Sequence, residues 1–461
     1  MKRFILSVLL IAIAAAPAYG QEPLTRVSSD IKANTSWSGA VVVEQPVSVA
    51  KGAVLTIKPG TTVRFRKGAG LTVQGVMKAS GKKGSLITFT SDEKTPAAGD
   101  WILSLDGAGD GTALKRCSIS YAASVGMAAC SAPVQNCDIQ KGGQGIVLAR
   151  KAQPLIEGNT VKSMSQGGVN CQMGSAPVIS GNIIEKCGPF GVTAAQDSYP
   201  VIKGNTISGC DSGISLSRPV PPVENNTLSD NKFGIFLSSV GNGLTIRGNR
   251  LSGNESGIVC QQFSSPLIEK NDISGGKEAI VCFRASSPTI KNNNLHKSER
   301  GIICVQLCNP HITANNIFEN KKALYLDLSS YALINGNNIY SNDIELELGN
   351  MSSDWERKVN KKPERGGQAQ NASLASRGRA VLQHVDDGAQ IMGFVDATGN
   401  WWGQNVTAEM DGKGPEANIK SFTDYYDTPT RTYEGYSGVY IQDRIKYDGW
   451  KKYRIKSAGF Q

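Results

Sequence analysis

Short apolar segments recur along most of the chain and are separated by glycine, asparagine and serine. In one copy of the pattern they are residues 267–268, residue 273 and residues 279–282. Segments of this length are too short for helices and are typical of short β-strands. Alternate residues of a strand face opposite sides, so every second apolar residue should face a core. The pattern predicts three short strands in each repeat.

Asparagine marks the same place in successive copies, at steps of 21 to 23 residues. The nine positions are Asn159, Asn182, Asn205, Asn226, Asn249, Asn271, Asn293, Asn315 and Asn337. A fixed period of 20 to 50 residues indicates a repeat architecture. Repeats that pair in parallel, in register, give a three-faced coil with about 22 residues per turn. Stacked asparagines can run amide hydrogen bonds up such a coil, so we expect them to be structural.

The ten cysteines follow the repeat more closely than they follow a disulfide pattern. Cys260, Cys282 and Cys304 lie 22 residues apart, and Cys117 and Cys137 occupy the position that asparagine fills later. Stacked residues on neighbouring turns point the same way, which suits a disulfide poorly. The sequence therefore predicts mainly free thiols that fill the core as small apolar groups.

The N-terminus is typical of a secretory signal peptide. Lys2 and Arg3 precede an apolar run at residues 4–16, and Ala18-Tyr19-Gly20 follows. The apolar run is too short to span a membrane, and the sequence contains no other long apolar segment. We therefore expect an exported monomer that is secreted, periplasmic or held at the cell surface, with no transmembrane segment after cleavage.

Composition changes divide the chain into seven predicted segments. They are a signal peptide (1–20), an N-terminal linker (21–38), N-terminal β-helix turns with a cap (39–105), regular β-helix turns (106–349), a polar basic insertion (350–390), a final turn with a Gly-Asn-Trp-Trp-Gly motif (391–427) and a basic, tyrosine-rich C-terminal tail (428–461). The insertion interrupts the repeat, and Asn400 resumes the asparagine position.

The formal net charge of +10 bears on the partners that the protein could bind. It could favour acidic partners such as uronic-acid polysaccharides or other components of the cell envelope. Alternatively, the charge belongs to the signal peptide and two basic segments, with a nearly neutral body. No nucleic-acid motif is present, so no nucleic-acid partner is expected.

Three short runs resemble a known group of proteins. They are Leu55-Thr56-Ile57-Lys58-Pro59-Gly60-Thr61, Gly99-Asp100-Trp101 and Asp396-Ala397-Thr398-Gly399-Asn400-Trp401-Trp402-Gly403. With the 22-residue repeat, the chain resembles secreted right-handed parallel β-helix proteins of the NosD-like branch of the pectate-lyase-like superfamily. The resemblance implies the fold. For function it implies polysaccharide lyases, glycoside hydrolases, alginate epimerases, carbohydrate-binding surface proteins or a periplasmic accessory factor for a copper enzyme.

The catalytic candidates are three acidic residues near the end of the repeat, Asp327, Glu345 and Glu347. Strand alternation predicts that Asp327 and Glu347 face outward on neighbouring turns, with Glu345 close by. Carboxylates about 5 Å apart could hold calcium or act as an acid–base pair. The alternative is a solvated acidic patch, because the sequence shows no basic catalytic partner.

No other metal or cofactor site is expected. The sequence contains three histidines, His296, His311 and His384. A copper site needs a cluster of soft ligands, and the stacked cysteines are predicted to face inward. Calcium at the acidic residues is therefore the one cofactor that the residues could hold.

An outward apolar stripe is predicted along the third strand of successive repeats. Its members are Phe236, Val259, Val281, Phe283, Ile303, Val305 and Tyr325. Soluble proteins seldom leave such a stripe bare, so either it binds a ligand or the 351–390 excursion or the tail covers it. Arg150, Arg218 and Arg284 recur two residues past the third strand and could bind sugar carboxylates bidentately.

These observations favour a non-catalytic carbohydrate-binding or cell-envelope interaction protein. The stripe is the predicted binding face, with Phe236, Phe283 and Tyr325 as its aromatic members. The alternative is a polysaccharide lyase or glycoside hydrolase that acts on an acidic polysaccharide. A second alternative is a periplasmic accessory protein for metalloenzyme maturation.

Overall fold

The computed structural model describes residues 24–195, 197–218, 222–359 and 393–460. Within them the chain winds into a coil of three parallel β-sheets, here called sheets A, B and C, with 15, 15 and 14 strands. Successive turns of the coil add one strand to each sheet, and each strand pairs with its counterpart one turn further along. The predicted all-β parallel solenoid is confirmed.

Sheet A follows the corner at which the asparagines lie. Its strands are Thr25–Val27, Ala40–Val43, Thr62–Phe65, Ile87–Ser91, Cys117–Ser120, Asp138–Gln140, Thr160–Lys162, Ile183–Glu185, Thr206–Ser208, Thr227–Ser229, Arg250–Ser252, Asp272–Ser274, Asn294–His296, Asn316–Phe318 and Asn338–Tyr340.

Sheet B holds the longest strands and carries the predicted outward stripe. Its strands are Pro46–Val49, Gly70–Val73, Trp101–Asp106, Ala122–Ala128, Gln144–Ala149, Gly167–Cys171, Phe190–Ala194, Ser212–Ser217, Phe233–Ser238, Ser256–Gln261, Glu278–Phe283, Arg300–Val305, Lys322–Asp327, Ile344–Leu348 and Phe422–Thr423.

Sheet C contains the shortest strands and completes each turn. Its strands are Thr35–Trp37, Val54–Ile57, Val76–Ser80, Ala113–Lys115, Val134–Gln135, Leu155–Glu157, Val178–Ser180, Val201–Lys203, Val223–Glu224, Thr245–Arg247, Leu267–Glu269, Thr289–Lys291, His311–Thr313 and Leu333–Asn335.

The core lies inside the coil and is built by the alternation along each strand. In one strand of sheet B, Ile258 is fully buried and the outward Val259 keeps 8% of its surface exposed. Near the N-terminal end the rings of Phe65 and Trp101 stack with their centroids 4.1 Å apart. Burial of apolar surface along the whole coil is the main force that holds the turns together.

The cysteines follow the ladder pattern that the sequence predicts. Cys260, Cys282 and Cys304 are paired in register on adjacent turns. All ten cysteines are free and buried. Cys137 occupies an asparagine position, and its N–H donates to Asn159 Oδ1 at 2.9 Å. The thiols therefore act as small core residues.

The predicted asparagine ladder runs up the buried corner between sheets C and A. The backbone N–H and Nδ2 of Asn249 both donate to Asn271 Oδ1, at 3.0 Å. Asn271 Nδ2 in turn donates to the carbonyl of Ile246 at 2.9 Å. The ladder ends where Asn337 N–H donates to Asn400 Oδ1 at 2.8 Å. Each asparagine thus pairs polar groups that would otherwise be buried without partners.

A second ladder, which the sequence analysis missed, runs up the corner between sheets A and B. Asn231 donates from N and Nδ2 to Asn254 Oδ1, at 3.1 and 2.9 Å. On later turns Asn320 donates in the same way to Asn342 Oδ1, at 2.9 and 3.0 Å. Its signal is visible in the sequence, because these asparagines follow members of the first ladder by five residues.

Segments without the repeat close the C-terminal end of the coil. Helix α1 (Ser353–Val359) comes soon after the strand Ile344–Leu348, and helix α2 (Gly403–Lys413) starts directly after Trp402. Trp402 is fully buried, and its ring meets Phe422 edge-on at 4.8 Å. The Gly-Asn-Trp-Trp-Gly motif therefore ends the first ladder and caps the core.

The tail adds two small sheets and then returns along the coil. Phe394–Asp396 pairs in parallel with Arg444–Lys446, and Thr430–Arg431 pairs antiparallel with Tyr440–Ile441. Residues 455–460 then run over the outer face of sheet A.

Three contacts fix the tail on sheet A. Asn338 Nδ2 donates to the carbonyl of Ile455 at 2.9 Å, and Asn294 Nδ2 donates to the carbonyl of Phe460 at 3.2 Å. The backbone N–H of Gly459 donates to the carbonyl of Ala314 at 2.8 Å. The end of the tail thus covers sheet A and not the stripe on sheet B.

The coil begins earlier than the sequence predicted. Thr25–Val27 and Thr35–Trp37 lie within the predicted linker at 21–38, yet they pair with the next strands of sheets A and C. The sequence did not show these two strands, because a strand of three residues is too short to reveal alternation of apolar and polar residues.

The predicted signal peptide at 1–20 and most of the insertion at 350–390 lie outside the described residues. In the described part of the chain, no helix has the length and apolar character that crossing a membrane requires.

Candidate functional site

The outer face of sheet B carries a row of side chains that are in register on consecutive turns. The row is Ser215, Phe236, Val259, Val281, Ile303, Tyr325 and Glu347. Parallel strands lie about 4.8 Å apart, so the five middle side chains form one continuous apolar strip. Val259 and Ile303 are buried by their neighbours, whereas Phe236, Val281 and Tyr325 are half-buried.

A second row beside the first contains Gln261, Phe283, Val305 and Asp327. The guanidinium of Arg284 lies over the ring of Phe283, 5.0 Å from its centroid. Phe263, at the corner that follows, is 41% exposed. The two rows together make a face with an apolar centre, and both rows end in a carboxylate.

The three predicted arginines do not form one group. Arg150, Arg218 and Arg284 all have a positive φ, which places them at the same corner of the coil. Arg150 forms an ion pair with Asp106 on an earlier turn. Arg218 is exposed. Of the three, Arg284 alone has a stacking contact with an aromatic side chain in the described residues.

Asp327 lies on the outer face, as predicted, and both of its carboxylate oxygens accept hydrogen bonds. One oxygen accepts from the hydroxyl of Tyr325 at 2.9 Å. The other accepts from the N–H groups of Leu328 and Asn350, at 2.9 and 2.6 Å. These bonds fix the corner after the strand, so Asp327 serves the local backbone structure.

Glu347 is also on the outer face and is paired. Its carboxylate lies 2.6 Å from Lys322 Nζ, and 19% of its side chain is exposed. The lysine is also 5.9 Å from the ring centroid of Tyr325. Burial, together with the Asp327 charge, raises the pKa of Tyr325 to about 12. The tyrosine therefore stays protonated at neutral pH.

Glu345 does not join the other two acids, because it faces into the coil and is 2% exposed. It occupies the inward position that Gly301 and Ala323 fill on earlier turns. Its Oε2 accepts from Asn342 Nδ2 at 2.6 Å, which ends the second ladder. Burial raises its pKa to about 8. Of the three predicted catalytic acids, Asp327 and Glu347 are therefore outward carboxylates with bonding partners, whereas Glu345 is a structural carboxyl inside the coil.

A buried acid–tyrosine cluster at the C-terminal end was not predicted. The hydroxyl of Tyr331 lies 3.0 Å from Glu356 Oε1 and 2.8 Å from Asp443 Oδ2. Ser353 donates to Asp443 from both N and Oγ. A hydroxyl has one proton, so Tyr331 donates to one of the two carboxyls at a time. Burial raises the pKa of Glu356 above its ordinary value. The cluster holds α1 against the tail, a long-range contact that the sequence does not signal.

Two family models match parts of the chain. Residues 123–265 match the model described as a right handed beta helix region. Residues 219–360 match the model described as periplasmic copper-binding protein (NosD). No curated protein matches the chain.

The described residues do not fit a copper site. No group of three or more histidine, cysteine, aspartate or glutamate side chains is placed to hold a metal ion in that part of the chain. Thiolates are the form that binds copper, and burial raises the pKa values of Cys260 and Cys304 far above the ordinary range. His296 Nε2 lies 3.2 Å from Asp272 Oδ1, and His311 is exposed. His384 lies outside the described residues.

The observed fold agrees with the descriptions of the two family models. The matched regions overlap in the regular turns and together run from residue 123 to residue 360. Up to residue 348, the described residues of that range form the three-sheet parallel coil with its asparagine ladders. The chain is thus a NosD-like right-handed β-helix protein.

Proposed function

We propose that the chain is an exported, non-catalytic protein that binds a glycan of the cell envelope along the outer face of sheet B. The observation that carries this proposal is the apolar strip of five side chains, which spans consecutive turns without interruption. A continuous strip of this kind suits an extended polymer, and contiguous apolar side chains on an outer face commonly mark binding sites.

The chemistry of the strip and of the row beside it, which contains Phe283, fits sugar rings. The half-buried rings of Phe236, Phe283 and Tyr325 offer apolar surface to the C–H faces of a sugar. Arg284, stacked on Phe283, keeps a planar guanidinium at the edge of the strip, where it could bind a uronate carboxylate bidentately. Export follows from the predicted signal peptide at 1–20 and accords with the description of the matched family as periplasmic.

The state of the carboxylates argues against a hydrolase or lyase. Asp327 is occupied by three hydrogen bonds and Glu347 by an ion pair with Lys322. Glu345 is buried inside the coil. A general acid or nucleophile must reach the glycosidic bond, and none of the three is free to do so.

A second candidate is an accessory role in the maturation of a periplasmic metalloenzyme. The match of residues 219–360 to the NosD model favours it. In that case the strip on sheet B would bind a partner protein instead of a glycan. The two candidates therefore differ in the occupant of one surface.

Replacing Phe283 and Tyr325 together with alanine is expected to weaken glycan binding at least about tenfold, because aromatic anchors dominate such contacts. Binding should first be located on a glycan array and then measured by isothermal titration calorimetry. Tyr453, 85% exposed on the tail, offers the matched aromatic control, and Tyr453→Ala should leave binding unchanged. Circular dichroism should show that both variants are folded. Equal affinity of the double variant and the wild type would refute the assignment of the strip.

A further inference from the structure

We propose a second binding site, on the outer face of sheet C near the N-terminal end, for the anionic groups of an acidic polysaccharide. It is a shallow groove of about 410 Å³ with Lys58, Lys78 and Lys115 in its lining. The site lies on a different sheet from the strip and goes beyond the proposed function, since it adds a second surface that would contact the anionic groups of the ligand.

Strand register brings the three lysines together. Lys78 is paired with Thr56, and Lys115 is paired with Ser80 on the next turn. Lys58 follows Ile57, whose partner is Ala79, so Lys58 lies beside Ser80. Lys58 and Lys115 therefore flank Ser80 from the turns on either side, about 10 Å apart along the coil. Lys58 and Lys78 are exposed, and Lys115 is half-buried.

The floor between the lysines is small and polar. Gly111 and Ala113 line it with Thr56 and Ser80. Small side chains let a ligand approach the sheet, and the two hydroxyls can exchange hydrogen bonds with a polyol. The groove is open along the coil, which suits an extended polymer better than a compact small molecule.

The lysines of the groove differ from the basic residues further along the same sheet. Arg247 lies between Glu224 and Glu269, at 2.7 and 3.9 Å, and Lys291 pairs with Glu269 at 3.2 Å. Within residues 24–195, 197–218, 222–359 and 393–460, no carboxylate comes within 4.0 Å of a lysine that lines the groove.

Unpaired like charges on adjacent turns repel one another, and that repulsion falls when an anion binds between them. A row of ammonium groups suits carboxylate or sulfate groups spaced along a polymer. Arg247 and Lys291 are already neutralised by neighbouring glutamates, so an external anion gains more at the groove than beside these two residues.

A neighbouring hollow extends the basic surface around the corner. It has a volume of about 510 Å³ and is lined by Lys83, Gly84, Leu86, Arg116 and Asn136. Arg116 directly follows Lys115, so consecutive residues of the chain line the two hollows. A ligand with several anionic groups could contact both, which again favours a polymer over a single anion.

The test is affinity for polygalacturonate at low ionic strength, measured by calorimetry. The triple variant Lys58→Ala, Lys78→Ala, Lys115→Ala should bind about tenfold more weakly than the wild type, and the salt dependence of binding should fall. The matched control removes three lysines that are ion-paired on later turns, Lys277, Lys291 and Lys321. It has the same net charge and should change affinity less than about threefold.

Asp110 supplies a further control, because it is exposed and directly precedes Gly111, which lines the groove. Asp110→Asn removes a repelling charge and should leave affinity equal or raise it. Because the strip on sheet B is separate, the Phe283→Ala, Tyr325→Ala protein should keep the salt-dependent part of binding.

Three outcomes would overturn the proposal. One is an unchanged affinity of the groove variant for polygalacturonate. Another is an equal loss of affinity in the groove and control variants, because net charge alone would then explain the loss. The third is wild-type protein that binds anionic phospholipid vesicles or duplex DNA but not polygalacturonate. Failure of the strip variants alone would contradict the proposed function and leave the groove standing.

Discussion

Replacement of Asn271 with alanine is expected to lower the free energy of unfolding by about 3–5 kcal/mol. Asn271 Oδ1 accepts two hydrogen bonds from Asn249, and Nδ2 donates to the carbonyls of Ile246 and Glu269, at 2.9 and 3.1 Å. All of these groups lie in a corner where Asn271 is fully buried. Each buried group left without a partner costs about 1–3 kcal/mol, so several such losses accumulate.

Urea denaturation followed by circular dichroism measures this effect. Asn242 is exposed at a corner of the same region, and Asn242→Ala is the matched control, with an expected change within about 0.5 kcal/mol. Amide hydrogen exchange should show lost protection in the turns that contain Asn249 and Asn293, because each turn of a solenoid depends on its neighbours. Equal stability of the two variants would mean that the ladder does not hold the coil together.

Glu345→Gln is expected to stabilise the protein in alkaline solution by a few kcal/mol and to have little effect in acid. Burial raises the pKa of Glu345 from 4.5 to about 8 in the folded state. The contribution of the protonated carboxyl is therefore complete below pH 4.5, and it declines as the pH rises through about 8. Glutamine keeps an acceptor for Asn342 Nδ2 and carries no charge at any pH.

Unfolding midpoints of wild type and variant, measured at pH 5 and pH 9, test this expectation. The difference should be small at pH 5 and should favour the variant at pH 9. Glu347→Gln is the matched control, because Glu347 lies on the same strand but is partly exposed and paired with Lys322. Its effect should be the same at both pH values. A Glu345→Gln difference that does not change with pH would contradict the burial of an ionisable carboxyl at the ladder end.

The repeat made the architecture predictable because stacked positions must satisfy one another. An asparagine that pairs with its counterpart on the next turn must recur at the period of the coil, so the nine-membered ladder identified the fold. The same argument predicted that Asn400 resumes the ladder, and its contact with Asn337 confirms this. It also predicted the register of Cys260, Cys282 and Cys304.

Glu345 shows where the sequence was misread. The small residues Gly301 and Ala323 precede it at the same inward position, so the repeat already signalled that its side chain enters the coil. A buried carboxyl is costly unless it is hydrogen bonded, and Glu345 is bonded to Asn342, which no further asparagine of the second ladder follows. A glutamate at the last turn replaces the amide oxygen that the next asparagine would supply.

The lysine groove could not be found from the sequence because the N-terminal turns differ in length. The partners Thr56 and Lys78 are one ordinary turn apart, whereas Ser80 and Lys115 are separated by a much longer stretch of chain. Without a constant period, residues on one face cannot be aligned. The path of the tail and the helix α2 were equally unpredictable, because single capping segments carry no repeat and the contacts of the tail with sheet A are long-range.

Non-catalytic glycan binding is tested most directly by one incubation in which both binding and turnover are recorded. Purified protein is mixed with polyuronides and sulfated polysaccharides, bound polymer is quantified, and new reducing ends and unsaturated uronate products are assayed. We expect saturable binding that weakens in the Phe283→Ala, Tyr325→Ala protein, with no product above background. Product formed in excess over the protein, and lost in Asp327→Asn, would contradict the proposed function.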